Sequence, residues 1–293
     1  MPELPDITVY TEALAARVVG RTLRGVSVGT PFVLRSVEPP LSAFAGRTIV
    51  GVERLGKRIV MALDGELFLV IHLMIAGRLK WAPSGKKAPP KGGLAYFDCE
   101  TGVLVLTEAG TKRRASLTAV SGRSALRAMD RGGLDVQLAT EAQVIARLRS
   151  ENHTLKRALT DPRLFDGIGN AYSDEMLHAA RLSPMQLTSK LADDAAVRLV
   201  AAIRMTLTAW TDRLRAEAAD GWPEKVTAFR PEMAVHGRFK LPCPVCGAPV
   251  QRIRYAENET NYCARCQTGG RLLADRAMSR LLKEDWPRSL DDQ

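Results

Sequence analysis

Apolar side chains change their rhythm twice along the chain, and the changes divide it. After Pro5, the residues Ile7, Tyr10, Leu14 and Val18 recur at helical spacing, with Asp6 placed to cap and Gly20 to stop, which predicts an amphipathic helix. From Leu23 to about residue 118 the pattern becomes short β-rich runs split by Gly and Pro, at residues 25–28, 48–52, 58–63, 67–73 and 103–106. Asp64-Gly65 and Thr101-Gly102 are hairpin signals, so the expected architecture here is an antiparallel sandwich or barrel. Residues 83–93, rich in Pro, Gly and Lys, read as a mobile loop.

Past Gly132-Gly133 the period turns helical, over residues 139–149, 154–159, 171–180 and 193–217. Gly221-Trp222-Pro223 ends this part. A tail carrying Leu272, Leu273, Met278, Leu281 and Leu282 is spaced for one more amphipathic helix. No internal repeat is visible. The fold class is therefore α+β in two domains, an N-terminal antiparallel β-sandwich with its own helix followed by a helical domain.

Composition adds a partner class and a compartment. The 293 residues are 46% hydrophobic, enough for one large core or two modest ones. A net charge of +10 favours polyanions, nucleic acid first among them. No apolar run approaches a membrane span and no secretory signal is visible, so no membrane association and a cytosolic location are expected. Cys243, Cys246, Cys263 and Cys266 form two Cys-x-x-Cys pairs sixteen residues apart, the spacing of a four-thiolate zinc site with no position open to water or substrate. One structural Zn²⁺ is expected there, a ligand that orders small zinc peptides by roughly 10–16 kcal/mol. Cys99 lies in a strand context and reads as a buried structural thiol.

Two stretches carry candidate chemistry. Met1-Pro2-Glu3 has a small second residue, which favours loss of the initiator methionine and leaves a secondary amine followed at once by a carboxyl group. An α-amine titrates near 7.7–8.0 in model peptides, so its neutral form is available for Schiff-base chemistry, with the neighbouring carboxyl moving protons. The same three residues also start many unrelated chains. In residues 155–172 a helix breaks at Asp161-Pro162, and the chain turns through Gly167 and Gly169 into a new helix at Asn170. Backbone N–H groups at such a start, with an Asn beside them, can hold a phosphate, though Gly-x-Gly-Asn also suits a tight turn.

Together, the opening Pro2-Glu3-Leu4-Pro5, the Gly167-Ile168-Gly169-Asn170 turn followed by Tyr172, Glu175 and Leu177, and the cysteine pairs ending in Gln267 resemble the formamidopyrimidine-DNA glycosylase and endonuclease VIII family. The resemblance runs from Pro2 to Gln267. It implies a catalytic β-sandwich domain at 1–125, a linker at 126–138, a helix-two-turn-helix domain at 139–222, a zinc hairpin at 241–270 and an extra tail at 271–293. It implies a nucleoid-associated monomer that binds damaged double-stranded DNA as a base-excision-repair glycosylase with AP-lyase activity.

By the same resemblance, Pro2 looks like the Schiff-base nucleophile and Glu3 like the acid that assists base loss. Lys57 matches a lysine that binds phosphate and donates a proton in β-elimination. Asn170 matches a phosphate-binding asparagine, Arg113 and Arg114 a loop pair on the backbone and the widowed base, and Lys156 is grouped with these DNA-binding residues. Ile75 falls where the side chain that fills the emptied stack sits, with Met74 the alternative.

The departures are specific. Asn258 stands where the family arginine assigned to δ-elimination lies, with Arg254 nearby; Ala115 replaces a second wedge; residues 216–225 differ from the loop that covers flipped 8-oxoguanine. The lesion accepted, and elimination beyond the β step, are left open. A non-catalytic binder of abasic or distorted DNA that keeps the family clamp is the rival reading, and an RNA-binding zinc ribbon the third.

Overall fold

The computed structural model describes residues 1–84, 92–109, 113–224, 226, 230–255, 258–274, 280–281 and 288–290. Contacts divide the chain into two units, Met1–Arg131 with Trp210–Thr227, and Gly132–Ala209 with Ala228–Gln293.

The first unit opens on α1 (Leu4–Val18), which buries Ile7, Tyr10, Leu14 and Val18. Its start corrects the expected cap. Pro5 lies in the first turn, where a missing N–H costs nothing, so the helix begins before Asp6; Glu3 is the N-cap and Asp6 its capping-box partner. Eight strands follow: β1 (Thr22–Val28), β2 (Arg47–Leu55), β3 (Arg58–Leu63), β4 (Leu67–His72), β5 (Gly77–Pro83), β6 (Ala95–Cys99), β7 (Gly102–Glu108) and β8 (Ser116–Ser121). They pair in the order β5-β7-β6-β1-β2-β3-β4-β8, with both expected hairpins present.

Between β1 and β2 the pairing is limited to Thr22 with Thr48 and Leu23 with Arg47. Across that narrow seam the sheet folds over, because one hydrophobic cluster takes Ile59, Met61, Leu69 and Ile71 from one half and Leu79, Phe97, Leu104 and Leu106 from the other. The result is a sandwich closed on one core. The outer face of β3, β4 and β8 is covered by Leu126 of α2 (Arg123–Ala128). Cys99 is fully buried, and burial pushes its thiol up to about 12, so it is an inert filler. β5 and β8 were not evident from the pattern. Both are edge strands, and each alternates only a few apolar residues with polar ones.

Residues 210–222, which periodicity alone joins to the helical stretch, cluster by contact with this first unit. Trp222 packs on its core, with Nε1–H donating to the Leu79 carbonyl at 2.9 Å and its ring 5.6 Å from that of Tyr10.

The second unit contains α3 (Glu141–Arg149), α4 (Leu155–Thr160), α5 (Asn170–Ala179), the first part of α6 (Asp193–Ala218), β9 (Val250–Tyr255), β10 (Asn258–Cys263) and α7 (Ala264–Thr268). Thr140 and Thr154 accept N–H bonds at the starts of α3 and α4. The helix break at Asp161-Pro162 and the turn into α5 are as expected, with Leu164, Phe165 and Ile168 buried along it. Of the tail expected to form a helix, Leu272 and Leu273 lie in non-helical backbone against Tyr262, after Gly269 and Gly270 leave α7 at positive φ, while Arg280 and Leu281 are helical. Met278 and Leu282 lie outside the described residues, as do most of the 83–93 loop and part of 216–225. Among the described residues no helix is long and apolar enough to cross a membrane.

Candidate functional site

The start of α1 gathers ionisable groups around the chain's α-amine. Glu3 and Asp6 are 1% and 0% exposed, and the Glu3 N–H donates to Asp6 Oδ2 at 2.9 Å. Burial lowers the pKa of the Met1 amine below its usual 8.0; Glu3 and Asp6 pull it back up, while Arg78 and Lys57 push it further down. The charges of Glu3 and Lys57 thus both act at the chain's start beside Pro2, as do those of Asp6 and Arg78, which sequence reasoning missed. With Met1 attached, the Pro2 nitrogen is an amide and Pro2 is buried.

Lys57 sits at the tip of the β2–β3 hairpin, where Gly56 supplies the positive φ of 63° that a two-residue turn requires. Its neighbour Arg58 faces His72 across the β3–β4 ladder. His72 was also missed. Burial first, then Arg58 and Lys57, lowers its pKa to about 4, so its imidazole is neutral at physiological pH.

After His72 the chain makes a tight turn closed by the Gly77 N–H on the Leu73 carbonyl at 2.8 Å. A Cβ at Gly77 would lie 2.3 Å from that oxygen, so only glycine fits. The turn holds Met74 at φ 52° and leaves Ile75 48% exposed, a strained backbone presenting an apolar side chain to solvent. Arg113 and Arg114 are exposed, while Ala115 is buried in the sandwich core; Glu108 accepts the N–H groups of Arg114 and Ala115.

In the second unit, Asn170 and Lys156 meet. The Lys156 ammonium donates to the Asn170 carbonyl at 2.6 Å and pairs with Asp174, whose side chain is fully buried. Asp174 also accepts from the His236 ring at 2.8 Å and the Asn261 N–H at 3.1 Å. Glu175 accepts the N–H groups of Ala234, Val235 and His236 at 2.7–2.9 Å, and the Asn170 amide donates to the Glu259 carbonyl. One face of α5 is thus tied to the 234–236 segment and to β10. Asp174 follows Asn170 by four residues, a helical spacing that was available as a signal, and Glu175 belongs to the motif already singled out; His236 had none. Arg252 and Arg254 pair with Glu259 on the hairpin, and the Asn258 side chain lies outside the described residues.

The ligand sulfurs of Cys243, Cys246, Cys263 and Cys266 all lie within 4.8 Å of one another, with Cys243–Cys266 at 4.0 Å and Cys246–Cys263 at 3.4 Å. A tetrahedral ion with metal–sulfur bonds near 2.3 Å sets its sulfurs about 3.8 Å apart. The donor set fits. Burial, together with the Cys246 and Cys243 thiols and against Cys266, pushes Cys263 up to about 11, a penalty on the thiolate that a central divalent cation reverses. The four cysteines hold a structural zinc.

Family models match the chain in the same three parts. The formamidopyrimidine-DNA glycosylase N-terminal domain covers residues 1–116, the formamidopyrimidine-DNA glycosylase H2TH domain 135–213, and the zinc finger found in FPG and IleRS 240–269. The class is thus a sandwich, helix-two-turn-helix and zinc-finger protein. Curated formamidopyrimidine-DNA glycosylases are similar over nearly their whole length: one from an Acidovorax species is 32% identical over 91% of this chain and 99% of its own, and one from Thermus thermophilus 33% identical over 92% and 100%. The crystal structure of the Thermus thermophilus MutM (Fpg) protein superposes with a TM-score of 0.73 at 31% identity, covering 91% of this chain and 98% of its own. The Lactococcus lactis Fpg in complex with abasic-site DNA shares the fold at a TM-score of 0.80 and 23% identity, over 91% of this chain and 99% of its own. The chain belongs to the formamidopyrimidine-DNA glycosylase family.

Proposed function

We propose that the chain is a DNA glycosylase with AP-lyase activity, acting as a monomer on damaged duplex DNA once Met1 has been removed. Removal gives the free α-amine to Pro2, next to Glu3. The observation that carries this reading is the place of the chain's start: Pro2 is buried beside the buried Glu3, where burial holds the Met1 amine below its usual pKa against the pull of Glu3 and Asp6. A neutral amine needs no further activation to attack carbon.

In the proposed reaction the amine bonds to C1′ as the bond to the damaged base breaks, and the C1′–O4′ bond then opens to leave an iminium; Glu3 gives its own proton and relays the one the amine loses, so that the departing base and O4′ are each protonated. Loss of a C2′ proton then expels the 3′ phosphate, and Lys57 holds the phosphate and supplies a proton. The lesion must leave the helix first, at a cost of a few kcal/mol, and Ile75, or alternatively Met74, fills the gap. Arg113, Arg114 and Asn170 hold the backbone. Lys156 contributes through the Asn170 turn, whose carbonyl it grips. The similarity to proteins named for this activity, and to one solved with abasic-site DNA, supports the reading.

The test is a panel of duplexes carrying an oxidised purine, an oxidised pyrimidine or an abasic site, with borohydride added. Strand cleavage and a covalent adduct on the abasic duplex are expected from the native chain, and neither from Pro2→Gly carrying an uncleaved extra N-terminal residue. Tight binding to the same duplexes with neither cleavage nor adduct would instead establish the non-catalytic binder.

A further inference from the structure

α5 reaches the zinc centre at its far end. Its last turn places His178 Nε2 3.3 Å from Cys243 Sγ, with the two residues 6% and 2% exposed. A zinc-bound thiolate offers only lone pairs, so the nitrogen facing it must carry the proton. Four thiolates on one Zn²⁺ leave two net negative charges, and here they sit against Val235, Ala248, Val250 and the side of Leu290. Charge in such surroundings needs donors. Nearby, Gln267 joins the same helix region to the knuckle, accepting the Cys263 N–H and donating to the Leu182 carbonyl, both at 2.8 Å.

We propose that His178 is a positioning residue of the zinc centre: its Nε2–H donates to the Cys243 thiolate, retains the metal and fastens the knuckle to the helix that begins at Asn170. The hydrogen bond withdraws electron density from one sulfur and offsets part of the buried negative charge. It also fixes the direction of the Cys243 side chain, as partners behind metal ligands generally do. α5 is a single helix of ten residues, so one rigid rod carries the phosphate-binding turn at its N-terminal end and this sulfur contact in its last turn. The proposal rests on the zinc centre alone and stands or falls independently of the DNA chemistry.

The full-length chain tests it by zinc release to excess chromogenic chelator. His178→Phe keeps a ring of similar size and lacks the donor, and release is expected to accelerate by about 10- to 100-fold. His178→Gln keeps an N–H at similar reach and is expected to return most of the way to the native rate. Release from His178→Phe at the native rate, or equal acceleration in both variants, would overturn the proposal, the second result because it assigns the effect to packing alone. Cobalt-substituted protein supplies a readout that packing does not move: the thiolate-to-cobalt band shifts to longer wavelength in His178→Phe and stays in place in His178→Gln. An unshifted band in His178→Phe counts against the hydrogen bond. Should His178→Phe not fold, nitrogen-15 spectra of the native chain decide the matter, with an Nε2–H tautomer expected and an Nδ1–H tautomer contradicting it.

Discussion

Buried carboxylates on two helices have opposite surroundings in this protein. At α1, Glu3 and Asp6 are buried beside an amine whose protonated form burial disfavours. At α5, Asp174 is just as buried, and its charge is met by the Lys156 ammonium, the His236 ring and the Asn261 N–H. Similar residues serve two ends. Where fixed donors match an acid, it holds elements together; an acid buried beside a group that can gain or lose a proton is the arrangement that the proposed chemistry uses.

Removing the zinc gives the largest expected effect. The chelated chain, or Cys263→Ser, loses an interaction worth roughly 10–16 kcal/mol in small zinc peptides. The β9–β10 hairpin is expected to lose its order, read as amide-proton protection of residues 250–255. The sandwich core should keep its own protection, since no sulfur of the centre belongs to it. Simultaneous loss of protection in both regions would break the comparison.

Asp174→Ala comes next, because it strands a buried ammonium. A cost of about 3–5 kcal/mol is expected, measured by urea denaturation. An effect below about 1 kcal/mol, the scale of an exposed ion pair, would show that the network is ornamental.

Acid sharpens the contrast further. His72 is held at a pKa of about 4 in the fold, against about 6.5 in an unfolded chain. The unfolded state therefore binds the proton first, and the His72 contribution is fully present above pH 6.5 and is lost as pH falls towards 4. His72→Gln should flatten that part of the urea-midpoint profile, and an unchanged slope would show that the imidazole is not held neutral.

Ile75→Ala gives the smallest change in stability, within about 0.5 kcal/mol, because the side chain is 48% exposed. Its affinity for lesion duplex should nevertheless fall, read by titration against the native chain. A large loss of stability would make Ile75 a core residue.

Local spacing accounts for what was legible before the structure. The cysteine pairs, the Asn170 turn, α1 and the two hairpins are each written within a few residues, and each formed where its own segment dictates. The groups that complete the sites come from elsewhere. His236 reaches Asp174 across 62 positions, and Trp222 reaches Leu79 across 143. Neither contact leaves a periodic trace. Asp6 was misread as the cap because the Glu3–Asp6 exchange depends on where Pro5 lets the helix begin. Edge strands β5 and β8 take their place from one neighbour each, and that pairing is not carried in their own residues.

The central claim is that the nitrogen of Pro2 bonds to the sugar. Borohydride-trapped adduct on an abasic duplex, digested and mapped by mass spectrometry, tests it most directly. The account predicts that Met1 is absent and that the nucleotide remnant sits on the amine of an N-terminal peptide beginning Pro2-Glu3-Leu4. An adduct on Lys57 or another lysine, or a trapped chain that still carries Met1, would contradict it.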